Sequence, residues 1–369
     1  MIPIVRPSLP PLEDYVALLE RIWETRMLSN FSEFSQLFET QAASYLEVPE
    51  TRGVVSCDIG LIITLKSLGL PEGAPCFVSD FTFNSTANAA LWAGLRLVLV
   101  DVDRFTFNMS HESLARAMRG RPPGVVLATH VFGNPCDVDS LKHEADTHGS
   151  RLVFDAAHAY GSMRDGKKVG GFGDAEVFSF SGTKVVTMAE GGLVATHDPE
   201  LAERITYLRA YGFQNDYISR SPGLNGKLSE LHAALGTLEL DLIEPLLKQR
   251  LGLLAHYRER LGDLVDWQQV RDSDRSTFKD LALDLRSAER RAAVQTALTD
   301  ADVQSKRYFV PLHTMPTFKR FAAPWGYPNT DDLHVKLLCV PLFADLSLDD
   351  VDHICDLVRA ALGAWVGTP

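Results

Sequence analysis

The sequence predicts an α/β fold: a mostly parallel, seven-stranded sheet flanked by helices, with a smaller α+β domain after it. Two observations carry this prediction. Seven apolar runs of four to six residues, each the length of a buried strand, alternate with helical patterns between residues 53 and 196. Alternation of that kind places helices on both faces of a parallel sheet, because a parallel crossover needs a helix-sized connection. The character then changes near Leu246, where helical stretches with sparse strands replace the regular alternation. The large domain, with an N-terminal arm, is expected at residues 1–245 and the small one at 246–369.

In chain order, the strands of the large sheet are expected at Gly53–Ser56, Cys76–Ser79, Leu97–Asp101, Val125–His130, Leu152–Asp155, Glu176–Phe180 and Leu193–Thr196. Beyond them Leu201, Ile205 and Leu208 keep helical spacing, as do Leu228, Leu231, Leu235 and Leu238. A helical stretch follows from Leu246 to Leu264, then an alternating strand at Leu281–Leu285 and a charged helix near Ala288–Leu298. Short strands are expected near Arg307–Pro311 and Leu337–Pro341. The polar segment Asp272–Phe278 reads as a surface loop, and Pro316–Asn329 as a long connection.

Composition excludes several classes. A chain of 369 residues with 46% hydrophobic and 23% charged residues can bury a large core. No run reaches the roughly 18 apolar residues of a membrane helix, and the start, Met1-Ile-Pro-Ile-Val-Arg-Pro7, lacks the layout of a signal peptide. The expected location is therefore cytoplasmic. Cys57, Cys76, Cys136, Cys339 and Cys355 are scattered with no Cys-x-x-Cys pair, which argues against a disulfide framework and a zinc site. A formal charge of −12 disfavours nucleic-acid binding, which needs clustered Lys and Arg against phosphates.

The chemistry is concentrated in two residues. Asp155 ends the run Leu152-Val-Phe-Asp155, and Lys184 follows the run that ends at Phe180. In parallel sheets ligands bind beyond the carboxyl ends of strands, where both residues fall. A lysine that bonds the aldehyde of pyridoxal phosphate, with a carboxylate facing the pyridine nitrogen, is the pair that this cofactor needs as an electron sink. Small and hydroxyl residues in Phe178-Ser-Phe-Ser-Gly-Thr-Lys184 leave room for a phosphate and a flat ring close to backbone.

Around these residues the chain carries Asp80-Phe-Thr-Phe-Asn-Ser-Thr-Ala-Asn88, Val100-Asp-Val-Asp103, Asp155-Ala-Ala-His-Ala-Tyr-Gly161, Glu190-Gly-Gly192, Gly223-Leu-Asn-Gly-Lys-Leu-Ser-Glu230 and Arg307-Tyr-Phe-Val-Pro-Leu-His313. In this order and spacing it resembles the DegT/StrS-type family of nucleotide-sugar aminotransferases, which have the type I pyridoxal-phosphate-dependent transferase fold. The resemblance implies that Lys184 is the Schiff-base lysine and that Asp155 pairs with the pyridinium. It further implies that His158 lies near the ring oxygen or phosphate, that Ser179 donates to the phosphate, and that Phe83 stacks on the ring. Cys57-Asp58-Ile59-Gly60-Leu61 departs from the family's glycine–threonine turn, so only the backbone amides of Ile59 and Gly60 are left as phosphate donors there.

Asn225 matches an asparagine that reaches the phosphate of the neighbouring subunit, which implies a homodimer with shared sites. Lys227, Tyr308 and His313 match positions near the substrate. An anionic sugar nucleotide would also need basic residues at the mouth, for which Arg209, Arg220, Lys227 and Arg307 are the candidates. The implied reaction moves an amino group from an amino acid, expected to be L-glutamate, to a keto sugar nucleotide, expected to be a dTDP-keto-6-deoxy-hexose, by a ping-pong route in amino sugar biosynthesis. A keto-cyclitol acceptor and a cofactor-sensing regulatory protein are the alternatives. Family members that act as dehydratases replace the lysine by histidine; this chain keeps Lys184. Phe31 stands where the family usually has glycine. Gly170-Gly-Phe-Gly173 follows a charged turn rather than a strand and reads as a loop, and Asp101 and Asp103 have no further ligands at metal spacing.

Overall fold

The computed structural model describes residues 1–214 and 216–363. Its large sheet contains β1 (Glu50–Val54), β2 (Pro75–Ser79), β3 (Arg96–Val100), β4 (Val125–Thr129), β5 (Arg151–Asp155), β6 (Ala175–Ser179) and β7 (Gly192–Thr196), in the order β1-β7-β6-β5-β4-β2-β3. Pairs β2–β3, β2–β4, β4–β5 and β5–β6 are parallel, and β7 runs antiparallel to both its neighbours. Every residue of β2, β4, β6 and β7 is buried, as strands covered on both faces must be. The fold is therefore the mostly parallel seven-stranded α/β architecture that the alternation predicts.

Strand ends match the expected runs to within a residue or two, apart from the first. β1 lies three residues earlier than Gly53–Ser56 at its start, because Ser56 already caps the next helix, α1 (Cys57–Ser67): its hydroxyl accepts from the Ile59 amide at 3.3 Å. On one face of the sheet α1 packs with α2 (Asn84–Trp92) and α3 (Pro199–Leu208), burying Leu61, Ile63, Ala87 and Ile205 against Val78, Leu127 and Val177. On the other, Leu114, Leu141 and Phe77 share a core with Val126 and Phe154, while Phe34, Phe38, Ala233 and Leu193 form a third.

The C-terminal part has a three-stranded antiparallel sheet, β8 (Asp266–Trp267), β9 (Leu281–Asp284) and β10 (Leu337–Val340). It packs with α4 (Ile243–Leu261), α5 (Ala288–Asp300) and α6 (Leu348–Gly363) through Leu254, Tyr257, Leu283, Val294 and Ile354. The boundary expected after residue 245 falls in the first turn of α4. That helix serves both parts: Ile243, Leu246 and Leu247 join the core of the large sheet, whereas Leu253, Leu254 and Tyr257 join the C-terminal one. Two expectations fail here. Arg307–Pro311 is no strand; only Lys306 bridges to Cys339, and the chain then turns toward the large sheet. Asp272–Phe278 is not wholly a surface loop, since Ser276, Thr277 and Phe278 are buried.

Arg250 of α4 explains how that buried segment is held. Its guanidinium, 4% exposed, donates to the carbonyls of Phe278 at 2.5 Å, Leu342 at 2.7 Å and Lys279 at 3.1 Å, with Thr277 at 3.4 Å. Arg250→Met keeps the stem but strands these carbonyls, and each buried unsatisfied group is worth about 1–3 kcal/mol. A loss of roughly 3 kcal/mol or more in unfolding free energy is expected from urea titration.

Candidate active site

Thr129, Asp155 and Ser179 end β4, β5 and β6, and all three line a cavity of about 410 Å³ at the carboxyl edge of the large sheet. Lys184 lines the same cavity from the loop between β6 and β7. The Lys184 amide donates to the Ser181 carbonyl at 3.0 Å, and the Met188 amide returns to the Phe180 carbonyl at 2.9 Å, which closes the loop.

Asp155 is 3% exposed. One oxygen accepts from the Ala157 amide at 3.0 Å and the other from the Thr86 hydroxyl at 2.6 Å. Thr86 continues to Thr82 at 3.0 Å, and Thr82 to Thr129 at 2.8 Å. Since an ionised carboxylate only accepts, hydrogen bonds along this hydroxyl chain all point toward Asp155. Burial nevertheless pushes the Asp155 carboxyl up, against the opposing pull of Thr86, the Ala157 amide and Lys184. A carboxylate so placed is short of a positive partner.

Burial pushes the Lys184 amine down to about 8, and the charge of Lys279 adds to the effect. His158 lines the cavity with its ring nearly parallel to Phe132 and Phe309, at centroid distances of 6.3 Å and 6.2 Å. Burial first, then Lys184 and Lys279, lower its pKa well below the usual range, so the ring is neutral at pH 7. Its Nδ1 is buried and has no protein partner among the described residues. Phe83, the residue before α2, is 55% exposed and forms part of the cavity wall.

The start of α1 is arranged differently from the expectation. Ile59 and Gly60 do not line the cavity, and their amides are engaged by the Ser56 hydroxyl at 3.3 Å and the Ser56 carbonyl at 2.9 Å. The amides of Cys57 and Asp58, at the very start of the helix, have no protein acceptor among the described residues, and both residues line the cavity at the positive end of α1. Gly60 has a packing reason instead: a Cβ there would lie 2.8 Å from Val177 Cγ1 and 3.1 Å from Val54 Cγ2. Gly60→Ala is expected to destabilise by about 1–3 kcal/mol, read as a lower midpoint in thermal unfolding.

Of the expected substrate residues, Tyr308 lines the cavity and the others do not. His313 instead joins Asp80, with Nδ1 to carboxylate at 2.7 Å and its amide to the other oxygen at 2.8 Å, and stacks on Tyr327 at 4.7 Å. Asp80 holds its pKa above the usual histidine range. Lys227 donates to Asn30 at 2.7 Å, and Asn225 is exposed outside this cavity. None of the basic candidates reaches the cavity wall: Arg209 is buried against Glu39 and the Gly53 carbonyl, Arg220 pairs with Asp216, and Arg307 lies beside His334. Phe31 has φ at 60°, where glycine is least strained, and its ring lies 4.3 Å from the Arg209 guanidinium.

Sequence reasoning missed Lys279 and Asp280, both buried and both lining the cavity from the C-terminal part. Their only signal was a charged pair directly before the apolar strand at Leu281.

The buried carboxylate with no ion-pair partner among the described residues, the amine with a depressed pKa, the open Nδ1 of His158 and the two open amides at a helix start together fit a pyridine ring with a phosphate. Fold and site thus define a pyridoxal-phosphate-dependent transferase of the type I class. The chain belongs to the DegT/DnrJ/EryC1/StrS aminotransferase family, whose model matches residues 12–359. The GDP-perosamine synthase of Vibrio cholerae is 27% identical, covering 97% of this chain and 98% of the relative. The dTDP-4-amino-4,6-dideoxy-D-glucose transaminase of Shigella dysenteriae is 29% identical, covering 96% and 98%. Among solved structures, that of DesI in the presence of its TDP-sugar product superposes with a TM-score of 0.91 at 32% identity, covering 97% of this chain and 92% of that one. No described helix is long and apolar enough to cross a membrane.

Proposed function

We propose that this chain transfers the amino group of an amino acid, L-glutamate, to a keto sugar carried on a nucleoside diphosphate, with a dTDP-linked 4-keto-6-deoxyhexose as the first acceptor to test. The observation that carries the reading is the meeting of Asp155 and Lys184 in one cavity, with the lysine amine poised near neutrality. The relatives named above are a GDP-sugar and a dTDP-sugar enzyme, which supports the acceptor class.

Pyridoxal phosphate, when bound, supplies the sink for the electron pair left when a bond at the amine-bearing carbon breaks. Asp155, its carboxylate fixed by Thr86 and the Ala157 amide, would hold the proton on the cofactor's ring nitrogen. Lys184 would anchor the cofactor and, as a free amine, would serve as the base that takes the proton from the substrate carbon and the acid that returns it. Ser179 and the amides of Cys57 and Asp58 would hold the phosphate, Phe83 would cover one ring face, and His158, neutral, would stand beside the ring. Tyr308 approaches the sugar.

Asn225 serves the neighbouring subunit's phosphate, and the functional unit is a homodimer. Lys184→Ala and Asn225→Ala, each impaired alone, are expected to regain activity when mixed and allowed to exchange subunits, because one hybrid site is then intact. Recovery no greater than the sum of the separate variants would remove the shared-site reading. The function itself is tested by adding L-glutamate to the cofactor-loaded protein, which should lose its yellow colour, and then a panel of keto sugar nucleotides, one of which should restore it. Colour that no amino acid discharges would leave only a silent binder.

A further inference from the structure

Lys279 and Asp280 are each 7% exposed, yet both line the cavity. The Lys279 ammonium donates to Asp280 Oδ1 at 2.9 Å. Asp280 Oδ2 is buried with no hydrogen-bond partner among the described residues. The pair is held from behind: the Lys279 amide donates to the Phe132 carbonyl at 2.9 Å, and the Lys279 carbonyl accepts from Arg250 at 3.1 Å. The acceptor is thus fixed in place beside a cation, and a carboxylate oxygen left open inside a site is unfavourable until a donor reaches it.

We propose that Asp280 is a specificity residue whose free oxygen accepts a hydrogen bond from a ring hydroxyl of the keto sugar, with Lys279 orienting it. This rests on the aminotransferase reading above. The alternative occupant, the amino acid, offers only carboxylates once its amine faces the cofactor, and Asp280 would repel them. A neutral hydroxyl is the group that suits a buried carboxylate oxygen beside a lysine. Tyr308 lines the same cavity and feels the charges of both Asp280 and Lys279, so the pair stands beside the residue assigned to the sugar.

The test compares dTDP-4-keto-6-deoxyglucose with its 2-deoxy and 3-deoxy analogues, using wild type, Asp280→Asn and Asp280→Leu. Asparagine must turn its oxygen to Lys279, so its NH₂ faces outward and an acceptor becomes a donor. Wild type should prefer the parent sugar over one of the two analogues by about 100-fold or more in kcat/KM, as sites built to bond a hydroxyl do. In both variants that preference should collapse to within a few-fold, chiefly through a higher KM for the parent. Equal use of all three sugars by wild type, or a preference that both variants retain, would overturn the proposal. Discharge of the colour of the wild-type protein by L-glutamate is read separately, so a failure of the aminotransferase reading is distinguishable from a failure of this one.

Discussion

Lys184→Ala is expected to abolish amine transfer, lowering kcat by at least about 10³-fold, while leaving the fold intact. Among the described residues the other amine lining the cavity is that of Lys279, and it is tied to Asp280. Removing the lysine leaves no hole in the core, because its side chain projects into an open cavity. It also removes a group whose charged form burial disfavours. With the folded pKa near 8 and the unfolded one near 10.5, the unfolded chain binds more protons between those values, so the wild-type penalty is fully present below about pH 8 and fades as pH rises toward 10.5. The cofactor-free variant should therefore melt no lower than wild type at pH 7, and an unfolded variant would void the catalytic reading of its inactivity. The same pKa sets a second result: capture of pyridoxal phosphate by the empty wild-type protein, followed by absorbance, should accelerate with pH up to about 8 and level off above it, because only the neutral amine attacks. After borohydride reduction, the cofactor should be found on Lys184 by peptide mass spectrometry, and an adduct elsewhere would overturn the assignment.

How far the site was legible depends on how local its signals are. The seven strands were readable because each is a short apolar run buried on both faces, and Asp155 and Lys184 because they sit at or just after the ends of such runs. Phe83 and Ser179, which the family resemblance singled out, also line the cavity. At the start of α1 a sequence shows where the helix begins but not which amides its cap residue consumes, and Ser56 consumes those of Ile59 and Gly60. His313 and Arg209 lie off the cavity wall because a charged or titratable residue in a motif can be claimed by a distant partner, here Asp80 and Glu39. The threonine chain behind Asp155 escaped notice because Thr86 stands 69 positions from the aspartate that it serves. Lys279 and Asp280 reach the cavity from the C-terminal part, and nothing in their immediate neighbourhood ties them to it. Residues 364–369, within the expected small domain, lie outside the described residues.

Asp155→Asn should lower kcat by about 10²–10⁴-fold while the protein still takes up cofactor, because Lys184 and the phosphate contacts persist. The substitution preserves volume, so packing against β4 and β6 is unchanged. It removes the charge, and it leaves a single acceptor oxygen where the wild type offers one to the Ala157 amide and one to Thr86. On the proposed role, the ring nitrogen would then lose the partner that keeps it protonated, and the electron sink would weaken. A structural explanation and an electrostatic one separate cleanly. If the role is electrostatic, a cofactor analogue methylated at the ring nitrogen, whose positive charge is permanent, should recover part of the activity in Asp155→Asn and none in Lys184→Ala. Thr86→Val gives the graded case: the carboxylate keeps its charge but loses one fixed donor, so a fall of about 10-fold is expected in kcat, with cofactor retained. A Thr86→Val enzyme as slow as Asp155→Asn would mean that orientation, not charge, is what the carboxylate contributes.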